Sequence, residues 1–171
     1  MNTDRMRKLA RALDALAEKD REEVSRQEAM EAVRRHAARD LHAICANFVD
    51  QMNQFLGNVQ IELAPGVYSA ANYHEEGPNL FQLNVNGRLI QIGFHPTVGL
   101  TATDNYRIPY TLEGTVNFFN QELLDHDEVR DHRLYYCLEK NGNHWRFHDP
   151  RGNRSGLVDE DYLAGLLEKL T

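Results

Sequence analysis

Residues 3–56 contain neither Gly nor Pro. A run of that length, rich in Ala, Leu, Arg and Glu, has one ready backbone solution. In an α-helix every interior N–H bonds the carbonyl four residues back, and no residue type in the run opposes this. Apolar residues recur at Met6, Leu9, Leu13 and Leu16, and again at Met30, Val33, Ala37, Leu41, Ile44, Phe48, Met52 and Phe55. Three–four spacing puts each set on one helix face. Between the sets, residues 18–28 are polar almost all round, and Ser25-Arg26-Gln27-Glu28 fits a capping box. The pattern predicts two helices, 4–23 and 26–56, ended by Gly57. One unbroken helix is the alternative, because a strict heptad frame from Met6 reaches Phe55 without a phase break. That frame puts Asp20, Glu23, Gln27 and Arg34 on core positions.

Beyond Gly57 the apolar period changes to two, the mark of half-buried strands. Val59, Ile61 and Leu63 alternate with polar residues, and Ala64-Pro65-Gly66-Val67 suits a type II turn. Two Asn-Gly pairs predict hairpins, since a type I′ turn needs positive φ at both central residues. Asn86-Gly87 sets Val85 opposite Arg88, Leu83 opposite Ile90 and Phe81 opposite Ile92. Asn141-Gly142 sets Leu138 opposite Trp145 and Tyr136 opposite Phe147. On the reverse face of that hairpin Glu139 meets His144, Cys137 meets Arg146 and Tyr135 meets His148. Further strands are expected near 97–103, 106–112 and 114–119, with Pro109 marking an edge or a bulge. Residues 120–130 read as a short acidic helix or turn, and 149–156 as a loop. A last helix is capped by Asp159 and carries Leu163, Leu166, Leu167 and Leu170.

The expected fold is therefore α+β: a long N-terminal helical region packed on an antiparallel, mostly meander sheet of six to eight strands, closed by a C-terminal helix. Residues 1–24 form an amphipathic extension suited to oligomerisation, and 25–171 form one α+β domain. At 171 residues, folding should bury roughly 70% of the unfolded chain's surface, without disulfide or metal staples. Hydrophobic residues at 42% exclude a disordered chain, and the two cysteines, Cys45 and Cys137, exclude a disulfide-dense module. The net charge of −7 argues against nucleic acid as partner. Residues 1–57 carry ten basic and ten acidic side chains, while 58–171 carry nine and sixteen, so the second part holds all the excess. No stretch reaches the roughly 18 apolar residues of a membrane helix. No apolar leader with a cleavage site opens the sequence, so a cytoplasmic location is expected.

Candidate sites follow from the same patterns. Met6, Leu9, Leu13 and Leu16 form a stripe that a helix without a home surface would bury against a second copy. Glu122, Asp125, Asp127 and Glu128 concentrate negative charge for a basic partner, though Arg130 replaces the turn glycine of a calcium loop. Tyr135, Glu139, His144, Arg146 and His148 share one hairpin face, where a Glu–His pair could move a proton. His36 and Asp40 lie one helical turn apart, but no metal motif is present and no cofactor is expected. Arg151 and Arg154 sit in a Gly-containing loop without a phosphate-binding motif.

At the level of layout alone, a helix, an antiparallel sheet broken by a short helix, and a closing helix resemble the acidic secretion-chaperone type of fold. That resemblance implies an acidic cytoplasmic dimer that binds another protein along a sheet face. The expected function is accordingly a non-enzymatic, homodimeric protein-binding or adaptor module. The alternative is a small enzyme or small-molecule binder working from the Tyr135–His148 face.

Overall fold

In the computed structural model, the Gly- and Pro-free run folds as one helix, α1 (Thr3–Phe55), rather than two. The structure describes residues 2–102, 107–120 and 132–171, with Asn120 described by its backbone alone. Asn2 caps α1, its Oδ1 accepting the N–H groups of Asp4 and Arg5. Ser25 begins no second helix. The polar stretch around it is braced by Glu18–Arg21 and Glu23–Arg26 ion pairs at 2.9 and 3.0 Å, and nothing in it interrupts the backbone ladder.

The chain divides into two units, residues 1–33 and 34–171. In the first, residues 2–29 are all exposed. In the second, strands β1 (Ile61–Ala64), β2 (Asn79–Val85), β3 (Arg88–Thr101), β4 (Tyr110–Asn120), β5 (His132–Glu139), β6 (Gly142–Asp149) and β7 (Arg154–Leu157) form one antiparallel sheet in sequential order. Helix α2 (Glu160–Glu168) follows, capped by Asp159 Oδ1, which accepts the Tyr162 N–H at 2.9 Å. The α+β meander with its long first helix and closing helix is thus the observed fold. The expected acidic helix and the residues Glu122, Asp125, Asp127 and Glu128 lie outside the described residues.

The two Asn-Gly pairs build different turns. Asn86 and Gly87 take φ of 55° and 89°, and the β2–β3 register has Val85 opposite Arg88 and Phe81 opposite Ile92, as the type I′ turn demands. In the β5–β6 hairpin only Gly142 has positive φ, at 123°. The two-residue turn is made by Lys140 and Asn141, and Gly142 is the first residue of β6, paired with Glu139. Tyr136 therefore faces Trp145, Cys137 faces His144 and Tyr135 faces Arg146, each pairing moved by two residues from the expected one. Because the move is even, every side chain keeps its face of the sheet.

Other local expectations also change. Gly66 does not take the positive φ of a type II turn, and the Ala64–Pro65 peptide is cis. The strands expected at 106–112 and 114–119 merge into β4, and residues 97–101 belong to the end of β3. Pro109 immediately precedes an irregularity between Tyr110 and Leu112. Arg154–Gly156, read as loop, belong to β7 and pair with Phe147–Asp149.

The core lies between one face of the sheet and the second part of α1. From Arg34 onward the helix buries Ala37, Ala38, Leu41, His42, Cys45, Phe48 and Val49. Phe55, expected on this stripe, is exposed. Ala37 and Ala38 let the helix backbone come close enough for Trp145 Nε1 to donate to the Ala37 carbonyl at 2.7 Å. Phe94 on β3 meets Trp145 on β6 with ring centroids 5.4 Å apart. A Cβ on Gly114, which lies opposite Phe94, would stand 2.4 Å from the Gly93 carbonyl oxygen and 2.9 Å from Phe94 Cβ, so only glycine fits there. Arg34, on a nominal core position, is buried and satisfied. Its guanidinium donates to Thr111 Oγ1 at 2.8 Å and to the Thr97 carbonyl at 2.7 Å, and pairs with Glu75. Among the described residues no helix is long and apolar enough to cross a membrane.

Candidate functional site

Residues that alternate with the core residues form the opposite face of the sheet. Gln82, Gln91, His95, Glu113, Thr115, Arg133, Tyr135, Arg146 and His148 are all partly or fully exposed there, and Gln91 donates to Gln82 across β2–β3. Tyr135, Glu139, His144, Arg146 and His148 do share this face, as the period-two pattern requires. Their pairing differs from the expected one. Glu139 is held by Arg146 through two hydrogen bonds, Nε to Oε2 and Nη2 to Oε1, both 2.9 Å. His144 faces Cys137, so no Glu139–His144 pair exists to move a proton.

The His–Glu pair on this face is instead His95–Glu113, with Nε2 to Oε1 at 3.0 Å across β3–β4. It borders a depression of about 250 Å³ lined also by Gly93, Thr115, Arg133 and Tyr135. Burial, with Tyr110 beside it, raises the Tyr135 phenol above its ordinary range. The Tyr110 and Tyr135 rings meet at a tilt with centroids 4.5 Å apart and pack with Ile108 around Cys137. Cys45, on the core face of α1, is pushed up to about 12 by burial, which makes it a small apolar filler and no nucleophile.

A larger cavity, about 560 Å³, lies between α2 and the β6–β7 edge. At its floor is His132, buried at the start of β5. Its Nδ1 is 3.0 Å from Tyr162 Oη, and its Nε2 is 3.2 Å from Lys169 Nζ and 3.5 Å from Asp149 Oδ2. Burial raises the Tyr162 phenol far above its usual range. Burial also works against ionisation of Asp149. The Arg151 and Gly152 N–H groups, His132 and Lys169 outweigh it and hold the carboxyl below its ordinary value. Phe147 stacks on Tyr162 at 4.3 Å and forms the apolar wall with Leu157 and Leu166. Gly165 faces the same space, and a Cβ there would meet nothing within 4 Å. Arg154, expected in a loop, lines this cavity from β7.

The period-two pattern does not reveal this cavity, because its parts come from β5, β6, β7 and α2 and meet only when the last helix docks. The one local signal is Gly165 in the interior of α2, where glycine costs about 1 kcal/mol against alanine. His36 Nε2 pairs with Asp40 Oδ2 at 3.2 Å on exposed α1 surface. Among the described residues no group of three or more His, Cys, Asp or Glu side chains could hold a metal ion.

In unit 1 the stripe residues Met6, Leu9, Leu13 and Leu16 are 51%, 60%, 56% and 54% exposed. They lie within one uninterrupted helix and share one face by their spacing. No family model matches the chain, and no curated protein and no solved structure matches it.

Proposed function

We propose that this protein is a non-enzymatic, cytoplasmic homodimer, an adaptor or chaperone-like module that binds another protein. The helical unit joins two copies, and the sheet unit meets a basic partner. One observation carries the reading: four large apolar side chains on a regular helix stripe, each more than half exposed. Water contact over such a stripe is unfavourable by about 25 cal/mol per Å² of apolar surface, and a like surface on a second copy removes it. The neutral charge of residues 1–57 places no net repulsion on that pairing, while the acid excess of 58–171 favours a basic partner over nucleic acid or an anionic membrane.

Light scattering on the full chain tests the first part. A dimer is expected at tens of micromolar, and Leu9→Glu with Leu13→Glu should return the mass to monomer. A monomeric wild-type protein would remove the reading. For the second part, a lysine-rich peptide should bind with an affinity that falls steeply with salt. Replacing Glu122, Asp125, Asp127 and Glu128 by the corresponding amides should weaken it; unchanged binding would exclude the acidic segment as the contact.

The cavity at His132 favours a second reading, a small-molecule binder. Its volume matches ordinary ligand sites, and a helix-interior glycine keeps it open. Native mass spectrometry of freshly purified protein tests this: a retained small molecule lost in Gly165→Met supports it, and bare protein counts against it.

A further inference from the structure

We infer that the stripe of the helical unit pairs with a second copy in the antiparallel direction, in one register centred on Arg11. This rests on the self-association proposed above and adds its direction and alignment. In the heptad frame that starts at Met6, Met6 and Leu13 occupy a positions and Leu9 and Leu16 occupy d positions. Antiparallel helices layer a against d. A centre at Arg11 puts Met6 against Leu16 of the second copy and Leu9 against Leu13, and the two-fold axis repeats both layers. All four stripe residues of each copy are then covered.

Other arrangements bury charge or leave part of the stripe uncovered. Shifting the antiparallel pair one heptad toward the C-terminus sets Met6 against Glu23 and Leu9 against Asp20. Shifting it the other way leaves Leu16 beyond the end of its neighbour. A parallel, in-register pair stacks Asp20 on Asp20 and Glu23 on Glu23 at the seam, where like charges are desolvated together. The chosen register leaves Glu23 outside the overlap and sets Asp20 against Asn2.

Two further features agree with this. Residues 4–11 carry four bases and one acid, whereas 12–23 carry two bases and five acids. The basic end of each copy therefore lies along the acidic stretch of the other, whereas parallel copies set like against like. The positions flanking the seam near the two-fold axis are Ala10 and Ala12, small and uncharged, so the helices can approach closely there.

The test is a distance between spin labels in the full-length chain. Ser25 is exposed and lies on the outer face of the frame, and the native Cys45 and Cys137 are buried, so Ser25→Cys gives one accessible label per copy. Antiparallel pairing about Arg11 separates the two labels by about 40 Å along the axis, at ~1.5 Å of rise per residue. A parallel pair holds them about 20 Å apart or less, given helix diameters of about 10–12 Å. A dimeric mass with the short distance overturns the direction and leaves self-association standing. A monomeric mass with no dipolar coupling removes both.

Discussion

The two parts of α1 have the same apolar spacing and opposite surroundings. Leu9 and Leu13 are more than half exposed, while Leu41 and Cys45, on the same heptad frame or beside it, are fully buried. Helix formation does not separate them, since the backbone ladder runs through both. The difference lies in what accompanies the stripe. From residue 34 onward the helix alternates large residues with Ala37, Ala38 and Cys45, and those small side chains admit a sheet surface. The first part has Leu and Met at a and d with alanine beside them, a profile suited to another helix. A stripe says that something will be covered; the sizes of its neighbours say what kind of surface covers it.

The comparison can be broken by substitution, starting with the largest expected effect. Arg34→Ala should lower the unfolding free energy by about 3–5 kcal/mol, because Glu75 and the Thr97 and Thr111 carbonyls lose a buried cation. Arg21→Ala, in the exposed pair with Glu18, should cost less than about 1 kcal/mol. Equal losses in urea titrations would erase the distinction between the two parts. Leu41→Ala should cost about 2–5 kcal/mol through the cavity it leaves. Leu13→Ala should leave folding nearly unchanged and weaken the proposed dimer roughly tenfold or more, as read by sedimentation. A Leu13 variant as unstable as the Leu41 one would show that the first stripe packs within its own chain.

Smaller effects probe the sheet unit. Gly114→Ala should cost about 1–3 kcal/mol, since the new methyl meets a neighbouring backbone oxygen that cannot turn aside. A neutral result in thermal melts would mean that β3 and β4 can part locally. The weakest expectation concerns acid. Asp149 is held below its ordinary value of 3.8, so the folded state binds fewer protons there than the unfolded chain. Its stabilisation is complete above that value and is lost as pH falls through the lower folded one. Asp149→Asn should flatten the fall of melting temperature below about pH 4 and leave the neutral-pH slope alone. An unchanged acid slope would mean that the carboxyl is not engaged at the cavity.

Much of the architecture is legible in local chemistry. The helical character of residues 3–55 follows from the missing Gly and Pro, though not its continuity through Ser25, and the β2–β3 register follows from Asn86-Gly87 and the start of α2 from Asp159. The face shared by Tyr135, Glu139, His144, Arg146 and His148 follows from period two alone. Their partners do not, because Asn141 and Gly142 can both sit inside the turn or leave Gly142 as the first strand residue, and the second arrangement moves every partner by two residues. The His95–Glu113 pair depends on the β3–β4 register, which no tight turn announces. The His132 cavity needs four separate elements.

What the sequence by itself determined is therefore where helix gives way to strand and which face each hairpin side chain takes, since both follow from backbone periodicity and from φ preferences of single residues. The continuity of α1 and the strand at Arg154–Leu157 did not follow. Only the tertiary structure decided that Arg34 is a satisfied core residue, that Glu139 is bound to Arg146, and that His132, Asp149, Tyr162 and Lys169 meet around a cavity. The reason is range. Periodicity acts over a few residues, whereas those contacts join positions up to 77 apart in the chain, and docking of the helices on the sheet brings them together.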